Sequence, residues 1–410
     1  MTDRLIDASS APEQSLETPA GSGRLLNATH LSAAYAGSTG EVVAVDDVNI
    51  HIDEGEILGV AGESGCGKTT LGTVLSLNTR PPLYVKSGTL EVDGKIQQIG
   101  HGHKVPRTWR GSVVSMLPQG AMNSISPTMK VSSLVIDVMK AHGRVSRSDA
   151  LDRARDRIES LGLPPRVLDA YPHQLSGGMR QRVITMISTL LNPRLLIADE
   201  PTSALDVSSQ KQLIEMLKQM LEARIMSGVI FITHDLPVLR EVSDRIAVMY
   251  AGRIAEVASA EDIVENPRHP YSASLLNAVL TPEPQTRQRR VFGIPGAPPN
   301  LAHPPTGCRF HPRCALAMEE CYTEEPPHVG DDLVFAECFW ADANVGLPMP
   351  MDRLSVQTTV DTEGLTDTED LAQLEERAGI RSTGAQEDAR SSAGTDRADG
   401  NETDRKGAVG

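Results

Sequence analysis

One glycine-rich segment constrains this chain more than any other feature of its sequence. It reads Gly62-Glu63-Ser64-Gly65-Cys66-Gly67-Lys68-Thr69 and fits the pattern G-x-x-x-x-G-K-[ST]. It follows a strand candidate, Ile57–Ala61, and opens a helix candidate, Thr69 to about Leu77, which is the context that this pattern requires. Glycines let successive backbone N–H groups surround phosphate oxygens, and the helix N-terminus adds positive potential. The segment therefore predicts a nucleoside triphosphate site in an α/β domain.

The residue types in this loop match the chemistry of a bound triphosphate. Lys68 can reach the β- and γ-phosphates, and the Thr69 hydroxyl can hold Mg²⁺. We interpret Cys66 as a small spacer rather than a nucleophile. The predicted nucleotide-contacting residues of the loop are Gly62, Ser64, Gly65, Cys66, Gly67, Lys68, Thr69 and Thr70.

Two more apolar strand candidates end in polar residues. Leu195–Ala198 runs into Asp199-Glu200, and Val229–Thr233 runs into His234. If these strands and Ile57–Ala61 are parallel, their carboxyl ends converge on one site. Asp199 would then supply a carboxylate to the Mg²⁺ shell, and Glu200 would polarise an attacking water.

Composition narrows the possible function classes. The chain has 410 residues, of which 40% are hydrophobic, and a formal net charge of −15. Such a surface repels phosphate backbones, so a general nucleic-acid binder is not expected. We expect neither a membrane span nor a secreted chain, because no apolar run approaches the roughly 18 residues of a membrane helix and no signal-peptide pattern is seen.

We divide the chain into four segments. Residues 1–23 are predicted to be a disordered lead, and residues 24–260 an α/β domain with a largely parallel sheet. Residues 261–345 are rich in Pro and short of periodicity, which indicates a small, loop-rich extension. Residues 346–410 are predicted to be an acidic disordered tail, since 351–410 carry 14 acidic and 7 basic side chains.

Further motifs resemble those of ATP-binding cassette (ABC) ATPases. Leu175-Ser176-Gly177-Gly178-Met179-Arg180-Gln181 is similar to the family signature, with Met179 where Gln is often seen. Ser203-Ala204-Leu205-Asp206 fits the loop that crosses the dimer interface. Tyr35 fits the aromatic residue that stacks on adenine, Gln119 the glutamine that senses the γ-phosphate, and His234 the switch histidine. The resemblance implies a P-loop NTPase fold of ABC type, with a helical subdomain at about 122–184.

This resemblance also implies a mechanism. Two such domains would pair head to tail, so that Ser176, Gly177 and Gly178 contact the γ-phosphate of ATP held by the partner's loop. Glu200 would be the catalytic base, with His234 and Lys68 as the other catalytic residues. Mg²⁺ would be held by Thr69, Asp199 and Gln119, and Asp206 would lie near the nucleotide across the interface.

The extension resembles that of the dipeptide/oligopeptide/nickel importer family. The residues that carry this resemblance lie in Asn266 to Tyr271, Ile294 to Pro299, Gly307 to Cys314 and the Gln119 segment, Leu117 to Ser124. It implies a peripheral ATPase on the cytoplasmic face of the cell membrane, powering uptake of peptides or of a related solute such as nickel or sugars. The implied partners are two permease subunits, a paralogous ATPase subunit and, indirectly, an extracytoplasmic solute-binding protein.

Four of the five cysteines, Cys308, Cys314, Cys321 and Cys338, lie close together in the sequence. Structural disulfides are not expected in a cytosolic chain. Four thiolates suit either a [4Fe–4S] cluster or tetrahedral Zn²⁺, and a purely packing role is a third alternative. The missing C-x2-C pair counts against a zinc ribbon. Some family members with this extension look to carry a [4Fe–4S] cluster, and this resemblance leads us to predict one here.

Two rival functions remain to be distinguished. One is a soluble ABC ATPase that acts on nucleic acid or ribosomes, which the net charge and the single GKT loop disfavour. The other is an inactive regulatory subunit, which the presence of Lys68, Asp199, Glu200 and His234 disfavours.

Overall fold

The strands and helices follow the predicted alternation along most of the α/β region. A computed structural model describes residues 23–38, 40–100, 105–120, 125–203, 205–278 and 293–354. The strands are β1 (Arg24–Gly37), β2 (Gly40–Asp53), β3 (Ile57–Ala61), β4 (Leu83–Val92), β5 (Lys95–Gln98), β6 (Val114–Leu117), β7 (Leu195–Asp199), β8 (Gly228–Ile232), β9 (Arg245–Tyr250), β10 (Arg253–Ser259), β11 (His328–Gly330) and β12 (Phe335–Glu337). The helices are α1 (Lys68–Leu75), α2 (Val131–His142), α3 (Arg147–Ser160), α4 (Gly177–Thr189), α5 (Val207–Glu222), α6 (Leu236–Val242), α7 (Ala260–Glu265), α8 (Pro270–Asn277), α9 (Phe339–Ala343) and α10 (Met351–Leu354).

The central sheet has eight strands in the order β11-β12-β10-β9-β3-β8-β7-β6. From β9 to β6 the neighbouring strands are parallel. Strands β3, β7 and β8 are buried along their whole length, as expected of a parallel sheet covered on both faces. The predicted convergence of these three strand ends is therefore confirmed.

A second sheet of four antiparallel strands, in the order β2-β1-β4-β5, lies beyond α1. The apolar face of α1, with Leu71, Val74 and Leu75, shares one core with this sheet and with alternate residues of β3, β7 and β8. This antiparallel layer was not predicted from the sequence. Its long β1 strand brings Tyr35 next to the start of α1.

Helices α2 to α5 pack on the opposite face of the central sheet in a second core. Ser146 caps α3, because its hydroxyl accepts the Asp149 N–H at 3.1 Å. Helix α5 ends at Glu222, and Arg224 follows in the left-handed region with φ 52°.

The C-terminal extension is joined to the central sheet. Strand β12 pairs with β10, so residues from either side of the predicted boundary at 260/261 share hydrogen bonds. Met349 and Leu354 are buried with Ala273 of α8. The folded chain therefore reaches Leu354, and the prediction that a tail begins at 346 is wrong for its first residues.

Several predictions concern residues outside the described ranges. These are the disordered lead apart from Gly23, the tail from 355 onward, Ala121 to Ser124 and Ala204. Among the residues that the structure does describe, no helix has the length and hydropathy needed to cross a membrane.

Candidate nucleotide site

The loop between β3 and α1 contains three glycines in backbone regions that favour glycine. Gly62, Gly65 and Gly67 have φ of 147°, 83° and 112°. A Cβ on Gly67 would lie 2.2 Å from the carbonyl oxygen of Ala44, so a side chain has no room there. Both the dihedral angles and the close approach therefore require glycine. Ser64 and Gly65 are exposed at the open side of the loop.

Lys68 is held by carbonyl groups of its own loop. Its Nζ donates to Gly62 O at 2.7 Å and to Glu63 O at 2.9 Å. The residue is only 7% exposed. These bonds keep the ammonium inside the loop, where it can exchange carbonyl oxygens for phosphate oxygens without a large movement.

Thr69 and Asp199 meet at the carboxyl end of β7. The Thr69 hydroxyl donates to Asp199 Oδ1 at 3.2 Å. The second oxygen, Oδ2, is fully buried without a hydrogen-bond partner among the described residues, and burial raises the pKa of this carboxyl to about 6. An orphaned buried carboxylate oxygen beside a hydroxyl is a suitable donor set for Mg²⁺. These two residues therefore fit the predicted magnesium site.

Glu200 and His234 are brought together from neighbouring strands. The Glu200 backbone N–H donates to Ile232 O at 2.8 Å, which extends the pairing of β7 and β8. His234 Nδ1 lies 2.8 Å from Glu200 Oε1, and the Thr233 hydroxyl donates to Oε2 at 3.2 Å. Glu200 has φ 48°, and a non-glycine residue in this region is a form of backbone strain often found at functional sites. Its carboxylate is oriented by both partners.

Tyr35 lies beside the first turn of α1. Its hydroxyl is 3.0 Å from Thr70 Oγ1. Cys66 is buried, and burial raises the pKa of its thiol. A buried, protonated thiol is a poor nucleophile, which agrees with its predicted role as a spacer.

Other predicted site residues lie on exposed parts of the chain. Gln119 is exposed and lies two residues after the end of β6. The last residue of β6, Leu117, pairs with Ala198, which precedes Asp199. Ser176 caps α4 and accepts the Met179 N–H at 3.3 Å; it is exposed, as is Gly177, whereas Gly178 is half-buried. Asp206 caps α5 and is also exposed. Within the described ranges, no hydrogen bond or ion pair links Asp206 or the signature residues Ser176–Gly178 to the phosphate loop.

The four cysteines of the extension are free thiols, and three of them are buried. Burial, followed by the nearby cysteines, raises the pKa of Cys314 and of Cys338 to about 12. The Cys308 N–H donates to Cys321 O at 2.9 Å. Within the described ranges, no group of three or more His, Cys, Asp or Glu residues is placed to hold a metal ion. The described residues therefore do not form a ready site for a metal ion.

Sequence reasoning assigned no role to Glu63 or Arg313, although Arg313 binds Glu63 inside the phosphate loop. The acidic residue Glu63 in the loop was a sequence signal that a neutralising partner exists. A carboxylate in an anion-binding loop repels phosphate unless a cation neutralises it. The sequence alone could not show which cation does so.

Comparisons with known proteins agree with this geometry. The family model "ABC transporter" matches residues 45–203, and "Oligopeptide/dipeptide transporter, C-terminal region" matches residues 255–321. An oligopeptide transport ATP-binding protein of Bacillus subtilis is 41% identical over 74% of this chain and 85% of its own length. A dipeptide transport ATP-binding protein of Caldanaerobacter subterraneus is 38% identical over 74% of this chain and 92% of its own length.

Among solved structures, a dimeric ATP-binding cassette bound to ADP and Pi is 23% identical, with a TM-score of 0.49 over 57% of this chain and 98% of its own. The alignments with these relatives cover 307 and 304 residues, more than the α/β region of residues 24–260 alone contains. The chain therefore belongs to the ABC transporter family, as an ATPase subunit with the C-terminal region of oligopeptide/dipeptide transporters.

Proposed function

We propose that this chain hydrolyses Mg²⁺-ATP with the residues gathered at the carboxyl ends of β3, β7 and β8. The observation that carries the proposal is the hydrogen-bonded set Thr233–Glu200–His234 beside Asp199 and the phosphate loop. A carboxylate held by two partners is oriented to accept a proton from water. An unpartnered buried oxygen on Asp199 adds the expected metal ligand.

In the proposed reaction, water attacks the γ-phosphorus of ATP and Glu200 accepts one of the water protons. The β–γ bridging oxygen leaves with ADP, and inorganic phosphate is the other product. Lys68 exchanges its loop carbonyls for phosphate oxygens and neutralises charge as the bond breaks. His234, with 69% of its side chain exposed, contacts the γ-phosphate. Thr69, Asp199 and Gln119 would hold Mg²⁺, which supplies further charge neutralisation.

We infer that two ATPase subunits complete each site. Ser176 and Gly177 are exposed at the N-terminus of α4, where a hydroxyl and free N–H groups can bind a phosphate. Asp206 and the neighbouring Val207, which is 70% exposed, would lie in the same interface. We propose a paralogous chain as the partner, with Tyr35 stacking on the adenine of the nucleotide bound by this chain.

The proposed biological role is peptide import. The relatives are named as oligopeptide and dipeptide transport ATP-binding proteins, which supports peptides as the transported solute. We propose that the chain binds two permease subunits at the cytoplasmic face of the membrane. A solute-binding protein would deliver the peptide to the permeases from the other side, and no nucleic acid is involved.

The test replaces Glu200 by Gln and measures ATP binding and phosphate release with the permeases and second ATPase subunit present. We expect unchanged binding and a fall in turnover of about 10²- to 10⁴-fold, the usual contribution of a general base. Glu222→Gln, at the exposed end of α5, is the matched control. Wild-type turnover in Glu200→Gln would refute the assignment of the base.

We also propose a [4Fe–4S] cluster on Cys308, Cys314, Cys321 and Cys338. A single zinc ion needs its thiolates about 2.3 Å from one point, and the described residues offer no such group. The four thiols are free, and the other three cysteines lie near enough to raise the pKa of Cys314, which supports their use as cluster ligands. The cluster would be a structural link within the extension.

This second proposal is tested by quantifying iron, sulfide and zinc after anaerobic purification. We expect about four irons and four sulfides per chain, lost in Cys308→Ser and retained in Cys66→Ser. A folded but metal-free protein would refute the cluster, leave the four cysteines with a packing role only, and have no bearing on the ATPase proposal.

A further inference from the structure

The side chain of Glu63, the second residue of the phosphate loop, is bound by the C-terminal extension. Arg313 Nη1 donates to Glu63 Oε2 at 2.6 Å, and Arg313 Nη2 donates to Oε1 at 3.0 Å. The two side chains are 5% and 22% exposed. This is a bidentate, largely buried pair between residues 250 positions apart in the sequence.

Arg313 is itself fixed by other groups. Its Nε donates to Pro295 O at 2.8 Å, and its Nη1 lies 3.3 Å from the hydroxyl of Tyr250. It ends the short helical turn His311–Arg313, next to Cys314. A planar guanidinium with its donors engaged in this way holds one orientation. The extension therefore presents Glu63 with a rigid partner.

The backbone of Glu63 is held from the same direction. Its N–H donates to the hydroxyl of Tyr271 at 2.8 Å. Tyr271 is fully buried at the start of α8, and its ring centroid lies 4.5 Å from that of Tyr250 and 5.3 Å from that of Phe310. Both the side chain and the amide of Glu63 are thus bound by residues that lie outside the phosphate loop.

These contacts bear directly on Lys68. The carbonyl oxygens that hold Lys68 Nζ belong to Gly62 and Glu63. Any movement of Glu63 would therefore displace the atoms that position the phosphate-binding ammonium. A loop that is already held in its binding conformation loses less conformational freedom when the ligand binds. In addition, the positive charge of Arg313 offsets a carboxylate that would otherwise repel the triphosphate.

We propose that Arg313 and Tyr271 are positioning residues for the phosphate loop, so that the C-terminal extension sets the affinity of this chain for ATP. The inference rests on the proposed ATP site. Neither residue touches the nucleotide; both act through Glu63. The extension is then part of the ATPase machinery as well as an appended region.

The test measures the Kd of the full chain for a fluorescent ATP analogue with Mg²⁺, and the kcat and KM of ATP hydrolysis in the complete transporter. Arg313→Gln should weaken nucleotide binding about tenfold, because it frees Glu63 and leaves its negative charge beside the phosphates. Glu63→Gln should weaken binding less, since the repelling charge is gone, and the double variant should be no weaker than Arg313→Gln, because both substitutions remove the same interaction. KM should rise while kcat stays within about twofold of the wild type, since only binding is affected. Tyr271→Phe, which keeps the ring, should have a smaller effect of the same kind.

A matched control comes from another buried bidentate pair. Arg245 binds Glu56 through Nε at 2.7 Å and Nη2 at 3.0 Å, at the opposite ends of β9 and β3 from the loop. Arg245→Gln should lower thermal stability and leave the Kd unchanged. An unchanged Kd in both Arg313→Gln and Glu63→Gln would overturn the inference, and so would an equal loss of affinity in Arg245→Gln. A wild-type chain that fails to bind Mg²⁺-ATP would instead overturn the proposed function itself.

Discussion

Glu256 is a buried carboxyl group whose ionisation should control the stability of the region around Tyr271. It lies in β10 with no exposed surface. Its oxygens accept the N–H groups of Arg268 at 2.7 Å and His269 at 3.0 Å, in the turn before α8. Burial raises the pKa of Glu256 from 4.5 to about 7, against the opposing effect of these N–H groups.

The sign of the effect follows from proton binding. Between pH 4.5 and about 7, the folded chain keeps the Glu256 proton that the unfolded chain has lost. Its contribution to the free energy of unfolding is therefore present below pH 4.5 and is lost as the pH rises through about 7. This rise in the pKa corresponds to about 3 kcal/mol in the free energy of unfolding. His269, whose pKa burial lowers to about 4, contributes with the opposite sign, so the wild type alone would not reveal the Glu256 effect.

The comparison of Glu256→Gln with the wild type isolates this effect, because Gln resembles the protonated acid in shape. Urea unfolding at pH 5 and pH 8 gives the free energy of each protein. We expect the variant to gain about 2 to 3 kcal/mol relative to the wild type between these two pH values, since part of the full effect is already lost at pH 5. Glu241→Gln, an exposed control, should show no comparable change. A difference between Glu256→Gln and wild type that does not vary with pH would refute the reasoning.

Three further predictions concern the nucleotide site. His234→Ala removes the ring that lies 2.8 Å from Glu200 and should lower kcat by about 10²-fold in a phosphate-release assay; a wild-type rate would exclude His234 from the reaction. Gly67→Ala places a Cβ 2.2 Å from Ala44 O and should abolish measurable ATP binding, with circular dichroism showing whether the chain still folds. Retained affinity would mean that the loop tolerates a side chain there. Because burial raises the pKa of the Cys66 thiol, iodoacetamide at pH 8 should label Cys66 only after unfolding in urea, as measured by mass spectrometry of the Cys66 peptide. Labelling of Cys66 in the native chain would contradict its burial.

Much of the nucleotide site could be predicted because its signals are local. The glycines at 62, 65 and 67 indicate backbone angles that other residues avoid. The acidic pair at 199–200 lies at the carboxyl end of a buried strand. Parallel strands bring their carboxyl ends together, so the meeting of Asp199 with Thr69 follows from the order of elements. The positions of Ser176 to Gly178 and Asp206 relative to a nucleotide stay predictions, because in the proposed function these residues contact ATP held by a second subunit.

Other features depended on contacts between distant parts of the chain. The pairing of β12 with β10 joins the extension to the central sheet. The burial of Met349 and Leu354 shows that folded structure continues past the predicted boundary at residue 345. No periodicity near those residues marks such pairings, since three-residue strands carry little pattern of their own.

Short motifs were enough to predict that this chain folds around a phosphate loop and carries the acidic and histidine residues of an ATPase. Those properties follow from backbone geometry and chemistry within a few residues of each motif. The ion pair of Arg313 with Glu63 and the hydrogen bond of Tyr271 to the Glu63 amide, in contrast, came to light in the folded chain. An ion pair or hydrogen bond needs only atoms that are close in space, and no local pattern marks that proximity when the partners lie 250 positions apart in the sequence.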